Sequence, residues 1–225
     1  VPSIDHFFFA GILSHLTDMA YAEGYTAMIA QTNEHPEMER KIIRDMIKHR
    51  VSGIMASVSD AVTNAANFKE ILHQGIPLTL FDRVIDDEVF DRVTVDNRYG
   101  AYIATRHLIQ QGRRHIVHLA GDQGVHVYRE RLQGYKKAMQ ESDLSVNKNA
   151  VYTGSAVHAR GYEQAREIYQ SKKFPDAFLC VGDDVAFGVL RFLHEKNLCV
   201  PDDVAVLGFD NDPVGAVVWP PLSTV

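Results

Sequence analysis

The sequence is poor in cysteine, poor in basic charge and free of long apolar runs. Its 2 cysteines, Cys180 and Cys199, are too few for a disulfide framework or a zinc site and favour a reducing, cytoplasmic setting. With 23 Lys and Arg against 29 Asp and Glu, the net charge of −6 argues against this chain gripping nucleic acid by itself. No apolar run approaches the length of a membrane span, so we expect no membrane association.

Motifs of the common enzyme classes are missing as well. The sequence contains no GxGxxG, no phosphate loop ending in Gly-Lys-Ser/Thr, no HExxH and no GxSxG. His115 and His118 lie three apart on a predicted strand, so they point to opposite faces and do not share a metal ion. His126 and His158 fall in predicted loops and remain weak candidates for a ligand or catalytic role. We therefore predict no catalytic residue, no metal site and no cofactor.

Strand patterns alternate with helix patterns along the whole chain, which predicts an α/β fold with parallel sheets covered on both faces. The alternation falls into two runs, and we predict two doubly wound lobes over residues 1–97 and 98–217. Residues 218–225 would begin a return to the first lobe. The chain is expected to be trimmed at both ends, since Val1 and Pro2 leave almost no room for a first strand.

Individual elements follow from apolar spacing and from turn residues. A helix is predicted from Phe9 to Ala20 with Gly24 as its stop, followed by a strand over Tyr25–Ala30. A later helix is predicted from Tyr128, with Arg129 and Arg131 in its first turn. Cations are unfavourable there, so each needs an exposed carboxylate, a buried carboxylate or a ligand. We interpret Arg129 as solvated and assign Arg131 to a ligand.

Open parallel sheets bind ligands beyond the carboxyl ends of their strands, and that rule selects a set of candidate residues. Their aromatic rings, carboxylates and guanidinium suit a polyhydroxylated small molecule, because charged groups hold adjacent hydroxyls and a ring covers an apolar sugar face. The predicted site comprises Phe8, Phe9, Ser57, Asp82, Arg131, Asp183 and Asp210.

Each candidate also has a purely structural interpretation. One of Phe8 and Phe9 belongs to the core, since adjacent helical residues point apart. Asp183 stands where a helix begins, and a plain N-cap is its preferred role on sequence grounds. Asp82 and Arg83 form a local ion pair in the alternative interpretation. The stretch 210–213, Asp-Asn-Asp-Pro, is turn chemistry, which we favour over a metal loop because calcium loops need more ligands.

Several stretches, in order, resemble the lactose-repressor family of bacterial transcription regulators: FFFAGIL, GIPLTLFDR, RERLQGYKKAM, VGDDVAFGVLRFL, VPDDVAVLGFDN and PPLSTV. The resemblance implies an effector-binding domain like a periplasmic sugar-binding protein, with the ligand in a cleft between two lobes. It places ligand contacts on Phe8, Phe9, Ser57, Asp82, Arg131 and Asp210. Asp183 falls on the family's paired Asn-Asp, with Gly182 in place of the Asn, and Ala156 stands where several members place a stacking aromatic.

The resemblance also implies a biological role. The chain would be the effector-sensing domain of a homodimeric repressor that binds a sugar, a sugar phosphate or a nucleoside. Operator DNA would be bound through an N-terminal helix-turn-helix absent from this chain. The alternative is a periplasmic sugar-binding protein that serves a transporter, and an enzyme on a doubly wound fold is the third hypothesis.

Overall fold

The computed structural model describes residues 1–5, 7–59, 61–147, 149–171 and 173–225, with the backbone alone for residues 61–64. It divides into two compact units, unit 1 from Val1 to Val95 and unit 2 from Asp96 to Val225. Each unit has its own sheet, and every strand pair in both sheets is parallel. The predicted α/β class with parallel sheets is therefore confirmed. Among the described residues, no helix is both long and apolar enough to cross a bilayer.

The described residues of unit 1 form three helices and a three-stranded sheet. The helices are α1 (Phe7–Ala22), α2 (Pro36–Lys48) and α3 (Ala61–His73), and the strands are β1 (Ile54–Ala56), β2 (Leu78–Phe81) and β3 (Asp91–Val93). The strands lie in the order β1-β2-β3. Ile43, Phe68, Ile71 and Leu80 are buried together in its core. Pro36 suits the first position of α2, because a proline lacks only an N–H that has no partner there.

In unit 2, the part of the chain that the structure describes forms four α-helices and a five-stranded sheet of order β5-β4-β6-β7-β8. The helices are α4 (Asn97–Gln110), α5 (His126–Glu141), α6 (His158–Gln170) and α7 (Asp183–Glu195), and a short 3₁₀-helix spans Pro213–Ala216. The strands are β4 (Ile116–Gly121), β5 (Val151–Thr153), β6 (Ala177–Cys180), β7 (Ala205–Gly208) and β8 (Ser223–Thr224). Residues 218–225, expected to begin a return to the first lobe, thus include a strand of this sheet.

Both faces of the unit 2 sheet are covered by apolar side chains. Phe178 and Cys180 of β6 pack into one buried cluster, whereas Ala177 and Leu179 pack into another. Successive residues of a strand point to opposite faces, so this division shows a core on each side of the sheet. Because both faces of this sheet are buried, its strands are apolar at nearly every position.

Two predicted elements differ from the structure. The strand predicted over Tyr25–Ala30 is wrong, because the stretch forms no sheet pairing within the described part of the chain. Helix α5 begins at His126 instead of Tyr128, so Arg131 is its sixth residue. The placement of Arg131 in the first turn is therefore wrong, and the helix dipole acts on it less than expected.

Candidate functional site

Arg131 is the centre of a buried polar cluster in unit 2. Its side chain projects from α5 toward the carboxyl ends of β6 and β7 and is 7% exposed. Nε donates to Oδ1 of Asn97 at 2.9 Å, and one terminal nitrogen donates to the carbonyl of Val181. The other terminal nitrogen lies 3.3 Å from Oδ1 of Asp210. The in-chain partner of Arg131 is thus a partly buried carboxylate supported by two further acceptors.

An aromatic ring completes the surroundings of the guanidinium. The carbon at the centre of the Arg131 guanidinium lies 3.6 Å from the centroid of the Phe209 ring. The ring of Tyr128 lies on the cluster as well, 6.0 Å from the same carbon. A ring face attracts a cation most strongly when water is excluded, so this contact holds the guanidinium plane in one orientation.

Arg129 behaves differently from Arg131. Its side chain is exposed and donates to the carbonyl oxygens of Gln123 and Gly124 at 2.9 and 2.7 Å. These carbonyls belong to the loop before α5, so Arg129 ties the loop to its own helix at the surface. The exposure agrees with the interpretation of Arg129 as a solvated residue.

Asp183 is not an N-cap, and the preferred structural interpretation of this residue is wrong. Helix α7 has Gly182 at its N-cap, and no side chain caps the helix there. The Asp183 carboxylate is 1% exposed and accepts from the backbone N–H of Asp212 and the hydroxyl of Thr224, both at 2.7 Å. Burial raises the pKa of this carboxyl, and the same hydrogen bonds oppose that rise. Asp183 therefore braces the turn after β7 and the end of β8.

The turn that follows β7 has an uncommon backbone. Asp210 has a φ of 106° and Asn211 a φ of 51°, values that L-residues adopt when the surroundings enforce them. Two contacts to the end of the chain hold the turn, namely the Asp210 N–H to the Val225 carbonyl at 3.0 Å and the Asn211 N–H to the Thr224 hydroxyl at 3.2 Å. Within the described residues no group of three or more His, Cys, Asp or Glu side chains is placed to bind a metal ion.

Unit 1 carries its own set of polar residues at the carboxyl edge of its sheet. Ser57 follows β1 and is buried, and its hydroxyl has no hydrogen-bond partner among the described residues. Asp82 follows β2 with a φ of 57° and is half-buried. The ends of the two strands are joined by the bond from the Val58 N–H to the Arg83 carbonyl at 2.9 Å. Ser57 and Asp82 therefore lie at one edge.

The two adjacent aromatics of α1 divide between core and surface. Phe9 is buried and meets the ring of Phe81, the residue before Asp82, edge to face with centroids 6.4 Å apart. Phe8 is half-buried, with its ring centroid 5.2 Å from that of Phe9. This division is the one expected of neighbouring helical residues.

Arg83, the neighbour of Asp82, places one terminal nitrogen 2.8 and 2.7 Å from the two carboxylate oxygens of Glu34.

Two residues of the unit 2 cluster, Asn97 and Phe209, were not among the sequence candidates. Asn97 is the first residue of α4 and directly follows Asp96, a residue type common in turns. No local sequence pattern pairs Asn97 with Arg131, which is 34 residues away. Phe209 directly follows β7, and no sequence pattern singled it out. Each joins the cluster only because β7, α4 and α5 meet in the fold.

His118 is a buried histidine next to the cluster. It is 1% exposed, its Nδ1 lies 2.9 Å from the Leu179 carbonyl, and its Nε2 has no partner among the described residues. Burial, and to a smaller extent the charge of Arg131, lower the pKa of His118 to about 4, while the bond to Leu179 opposes the shift. The imidazole is therefore neutral at neutral pH.

The buried His118 predicts a pH dependence of stability. In the unfolded chain a histidine titrates near pH 6.5, so between pH 6.5 and 4 the unfolded state binds the proton and the folded state does not. The free energy of unfolding is therefore highest above pH 6.5 and decreases as the pH drops toward 4. His118 accounts for about 3 kcal/mol of this decrease. We expect His118→Gln to lose this component in urea unfolding measured from pH 4 to 8. His115→Gln, at a half-buried position, is the matched control and should keep the wild-type slope.

Comparison with known proteins extends the description. The model of a family described as periplasmic binding protein-like domain matches residues 105–225. The chain is 31% identical over 220 residues to the HTH-type transcriptional repressor PurR of Actinobacillus pleuropneumoniae, covering 97% of this chain and 64% of that protein. It is 32% identical over 227 residues to PurR of Vibrio campbellii, covering 100% of this chain and 67% of that protein. The solved complex of the transcriptional regulator CelR with cellobiose matches with a TM-score of 0.86 and 25% identity, covering 96% of this chain and 66% of that one.

Parallel sheets with polar side chains gathered at the carboxyl ends of their strands define a class of ligand-binding domains. This chain belongs to the periplasmic binding protein-like family, in the form found in lactose-repressor-like transcriptional regulators. The resemblance noted in the sequence is thereby confirmed. The chain spans 64% of the length of the first of these curated relatives.

Proposed function

We propose that this chain is the effector-sensing domain of a transcriptional repressor. The observation that carries the proposal is the buried ion pair of Arg131 and Asp210, with side chains 7% and 20% exposed, at the carboxyl ends of β6 and β7. A guanidinium and a carboxylate held in fixed positions present paired donors and acceptors to a small polar ligand. The relatives with this domain are repressors, which supports the role.

The charge balance of the cluster selects the ligand class. The guanidinium of Arg131 is already opposed by Asp210. A second carboxylate-bearing residue, Asp183, is tied to the same region, because its backbone N–H donates to the carbonyl of Phe209 at 2.8 Å. A phosphate bound at this site would lose its hydration close to negatively charged carboxylates. It would gain no cation in return, because the Arg131 guanidinium is already paired with Asp210. A neutral polyhydroxylated molecule meets no such penalty. We therefore favour a sugar or a nucleoside over a sugar phosphate, and the cellobiose complex of CelR supports a sugar.

The same proposal assigns ligand contacts to Phe8, Phe9, Ser57 and Asp82 of unit 1. The half-buried ring of Phe8 offers a face for the apolar side of a sugar, with the buried Phe9 fixing its orientation. The Ser57 hydroxyl and the Asp82 carboxylate supply hydrogen-bonding groups for hydroxyls. Asp183, whose two oxygens are engaged, acts on the ligand through the Asp210 turn.

The remaining parts of the role concern the full-length protein. We propose that operator DNA is bound through a separate domain, since this chain has a net charge of −6 and phosphate binding needs an excess of basic residues. Ligand binding would change DNA affinity by favouring one of two states of a homodimer. A regulator that acts on DNA works in the cytoplasm. The transporter alternative is less well supported, because the matched relatives are repressors.

A thermal-shift screen tests the ligand class with six probes: D-ribose, D-glucose, cellobiose, adenosine, guanosine and glucose 6-phosphate. A ligand present at about 100 times its Kd stabilises by about 2.7 kcal/mol, which raises the melting temperature of a chain of this size by about 5–10 °C. We expect at least one neutral probe to produce this shift, and glucose 6-phosphate to produce less than glucose does.

Two variants and one assay complete the screen. Asp210→Asn, if it binds at least about 10-fold more weakly, should lose about half of the shift or more. Arg129→Ala, at an exposed position of α5, should keep the full shift. Chromatography of the bound probe after incubation should recover it unchanged, and any turnover would favour the enzyme hypothesis instead. If none of the six probes raises the melting temperature, the proposed ligand class is wrong.

A further inference from the structure

Tyr128 is an aromatic residue beside the Arg131 cluster that the sequence did not mark as a site residue. It is the third residue of α5, and its side chain is half-buried. A tyrosine with a purely structural role lies two turns further along the same helix. Tyr135 is 0% exposed, and its hydroxyl donates to the Ile116 carbonyl at 2.8 Å. Tyr128 is therefore less enclosed than the structural tyrosine of its own helix.

The ring of Tyr128 lies against the backbone of a glycine. A Cβ added at Gly121 would lie 2.8 Å from Cδ2 and 3.2 Å from Cγ of the Tyr128 ring. The same Cβ would lie 3.2 Å from Cγ1 of Val181, which directly follows β6. Because Gly121 is the last residue of β4, the ring lies at the carboxyl ends of the neighbouring strands β4 and β6. Open parallel sheets bind their ligands at this edge.

The backbone acceptors at the end of β4 are already engaged. The side-chain amide of Gln123 donates to the Ala120 carbonyl at 2.7 Å and to the Gly121 carbonyl at 3.4 Å. The Gly154 N–H donates to the same Gly121 carbonyl at 3.3 Å. A ligand hydroxyl at this point would compete with these donors, whereas an apolar surface could lie on the Tyr128 ring without disturbing them.

The Arg131 guanidinium has two rings as neighbours, and they differ in burial. Phe209 is 7% exposed, and its centroid lies 3.6 Å from the guanidinium carbon, so the cation covers this ring. The half-buried ring of Tyr128 lies 6.0 Å from the same carbon, which is the limit of the attraction between a cation and a ring. Arg131 therefore makes little use of the Tyr128 ring.

We propose that Tyr128 contacts the ligand through its ring and determines the specificity of unit 2 for cyclic molecules. This inference rests on the effector-sensing function proposed above. A sugar ring carries C–H groups on one face, which stack on an aromatic ring, whereas its hydroxyls bind to charged side chains. Unit 2 offers the Tyr128 ring at the end of β4 and the Arg131–Asp210 ion pair at the ends of β6 and β7.

The two contacts define an orientation for the ligand. Strands β4, β6 and β7 are consecutive in the sheet, so the ring and the ion pair lie side by side along one edge. The apolar face of the ligand covers Tyr128, and its hydroxyls point to Arg131 and Asp210. An open-chain polyol has the hydroxyls of a sugar without a fixed apolar face. We therefore expect D-glucose to bind more tightly than D-sorbitol, and D-ribose more tightly than ribitol.

Titration calorimetry with D-ribose, D-glucose and adenosine tests the contact. For each probe that binds the wild type, we expect Tyr128→Leu to raise Kd by about 10-fold, because leucine fills the volume without an aromatic face. Tyr128→Phe keeps the ring and should stay within about 3-fold of the wild type. Tyr152→Leu is the matched control, since Tyr152 of β5 is also half-buried and packs against the same buried cluster. It should leave Kd unchanged.

Two further measurements distinguish a ligand contact from a structural role. Tyr128→Leu should reduce the preference for D-glucose over D-sorbitol by about 10-fold, because only the cyclic probe uses the ring. The second measurement uses a chain in which Trp219→Phe removes the single tryptophan. In that chain, Tyr128→Trp should shift its emission to shorter wavelength when a probe binds, since the probe displaces water from the indole. Tyr152→Trp should show no shift.

The outcomes separate this proposal from the proposed function. If the wild type binds a probe and a folded Tyr128→Leu protein binds it equally well, the contact is refuted and the effector-sensing function stands. Equal weakening of cyclic and open-chain probes would assign Tyr128 a structural role and also refute the contact. If Tyr128→Leu does not fold, an emission of Tyr128→Trp that is unchanged by a bound probe has the same meaning. If no probe binds the wild type, the proposed ligand class and this contact are both wrong.

Discussion

Replacing Arg131 by alanine is expected to abolish ligand binding and to destabilise unit 2 by about 3–5 kcal/mol. The substitution leaves the Asp210 carboxylate, the Val181 carbonyl and the Asn97 amide oxygen without the donors that now serve them. Removing one partner of a buried pair is more costly than the pair itself is stabilising, because the other charge stays desolvated. Urea unfolding measures the loss of stability, and the thermal-shift screen measures the loss of binding.

Destabilisation alone does not decide whether Arg131 contacts the ligand, so a milder variant is needed. Asp210→Asn keeps the shape and one acceptor oxygen while removing the charge opposite Arg131, and we expect it to fold and to bind at least about 10-fold more weakly. Arg129→Ala should match the wild type in both stability and binding, because that side chain is exposed. Normal ligand binding by a folded Arg131→Ala protein would refute the placement of the site in this cluster.

Alanine at Gly134 or Gly188 is expected to cost more than about 4 kcal/mol, which would leave unit 2 largely unfolded. An added Cβ at Gly134 of α5 would lie 2.1 Å from the Arg98 carbonyl oxygen in α4. At Gly188 of α7 it would lie 2.1 Å from the His158 carbonyl oxygen in α6. The obstacle in both cases is helix backbone, which has no rotamer to change, so the helix pair must separate.

Gly11 provides the matched control for this prediction. It lies within α1, and an added Cβ there would meet nothing within 4 Å. Gly11→Ala should therefore stabilise the chain by about 0.5–1 kcal/mol, the helix preference of alanine over glycine. Circular dichroism and urea unfolding of the three variants test the expected destabilisation at Gly134 and Gly188 and the expected stabilisation at Gly11. A folded Gly188→Ala protein with wild-type stability would mean that α6 and α7 pack less closely than the structure shows.

Of the two glycines, Gly134 also positions the functional cluster. Helix α4 carries Asn97 and α5 carries Arg131, and the close approach at Gly134 fixes these helices against each other. The bond between the two side chains is 2.9 Å long. A wider helix spacing would lengthen it beyond hydrogen-bonding range. Loss of ligand binding is therefore expected in any partly folded glycine variant as well.

Local pattern alone was enough to predict several features of this protein. The alternation of apolar strands and amphipathic helices predicted parallel sheets, because each pattern reflects which faces of an element are buried. The rule that ligands bind beyond the strand ends selected Arg131 and Asp210. A terminal nitrogen of Arg131 and Oδ1 of Asp210 lie 3.3 Å apart in unit 2, and their role in ligand binding stays a prediction. The prediction of a strand over Tyr25–Ala30 was wrong because a strand is defined by its pairing with a neighbouring strand. The sequence pattern of a single stretch does not show whether such a neighbour pairs with it.

The amino-acid sequence by itself determined the class of fold, the position of most elements and the kinds of side chain at the strand ends, because these depend on residues a few positions apart. Tertiary structure alone decided how those side chains are used. Asp183 braces a turn through Asp212 and Thr224, which are 29 and 41 residues away, and Arg131 meets Asp210 over a separation of 79. Such contacts form only when separate elements pack together, and burial then sets the strength of each electrostatic interaction and hydrogen bond.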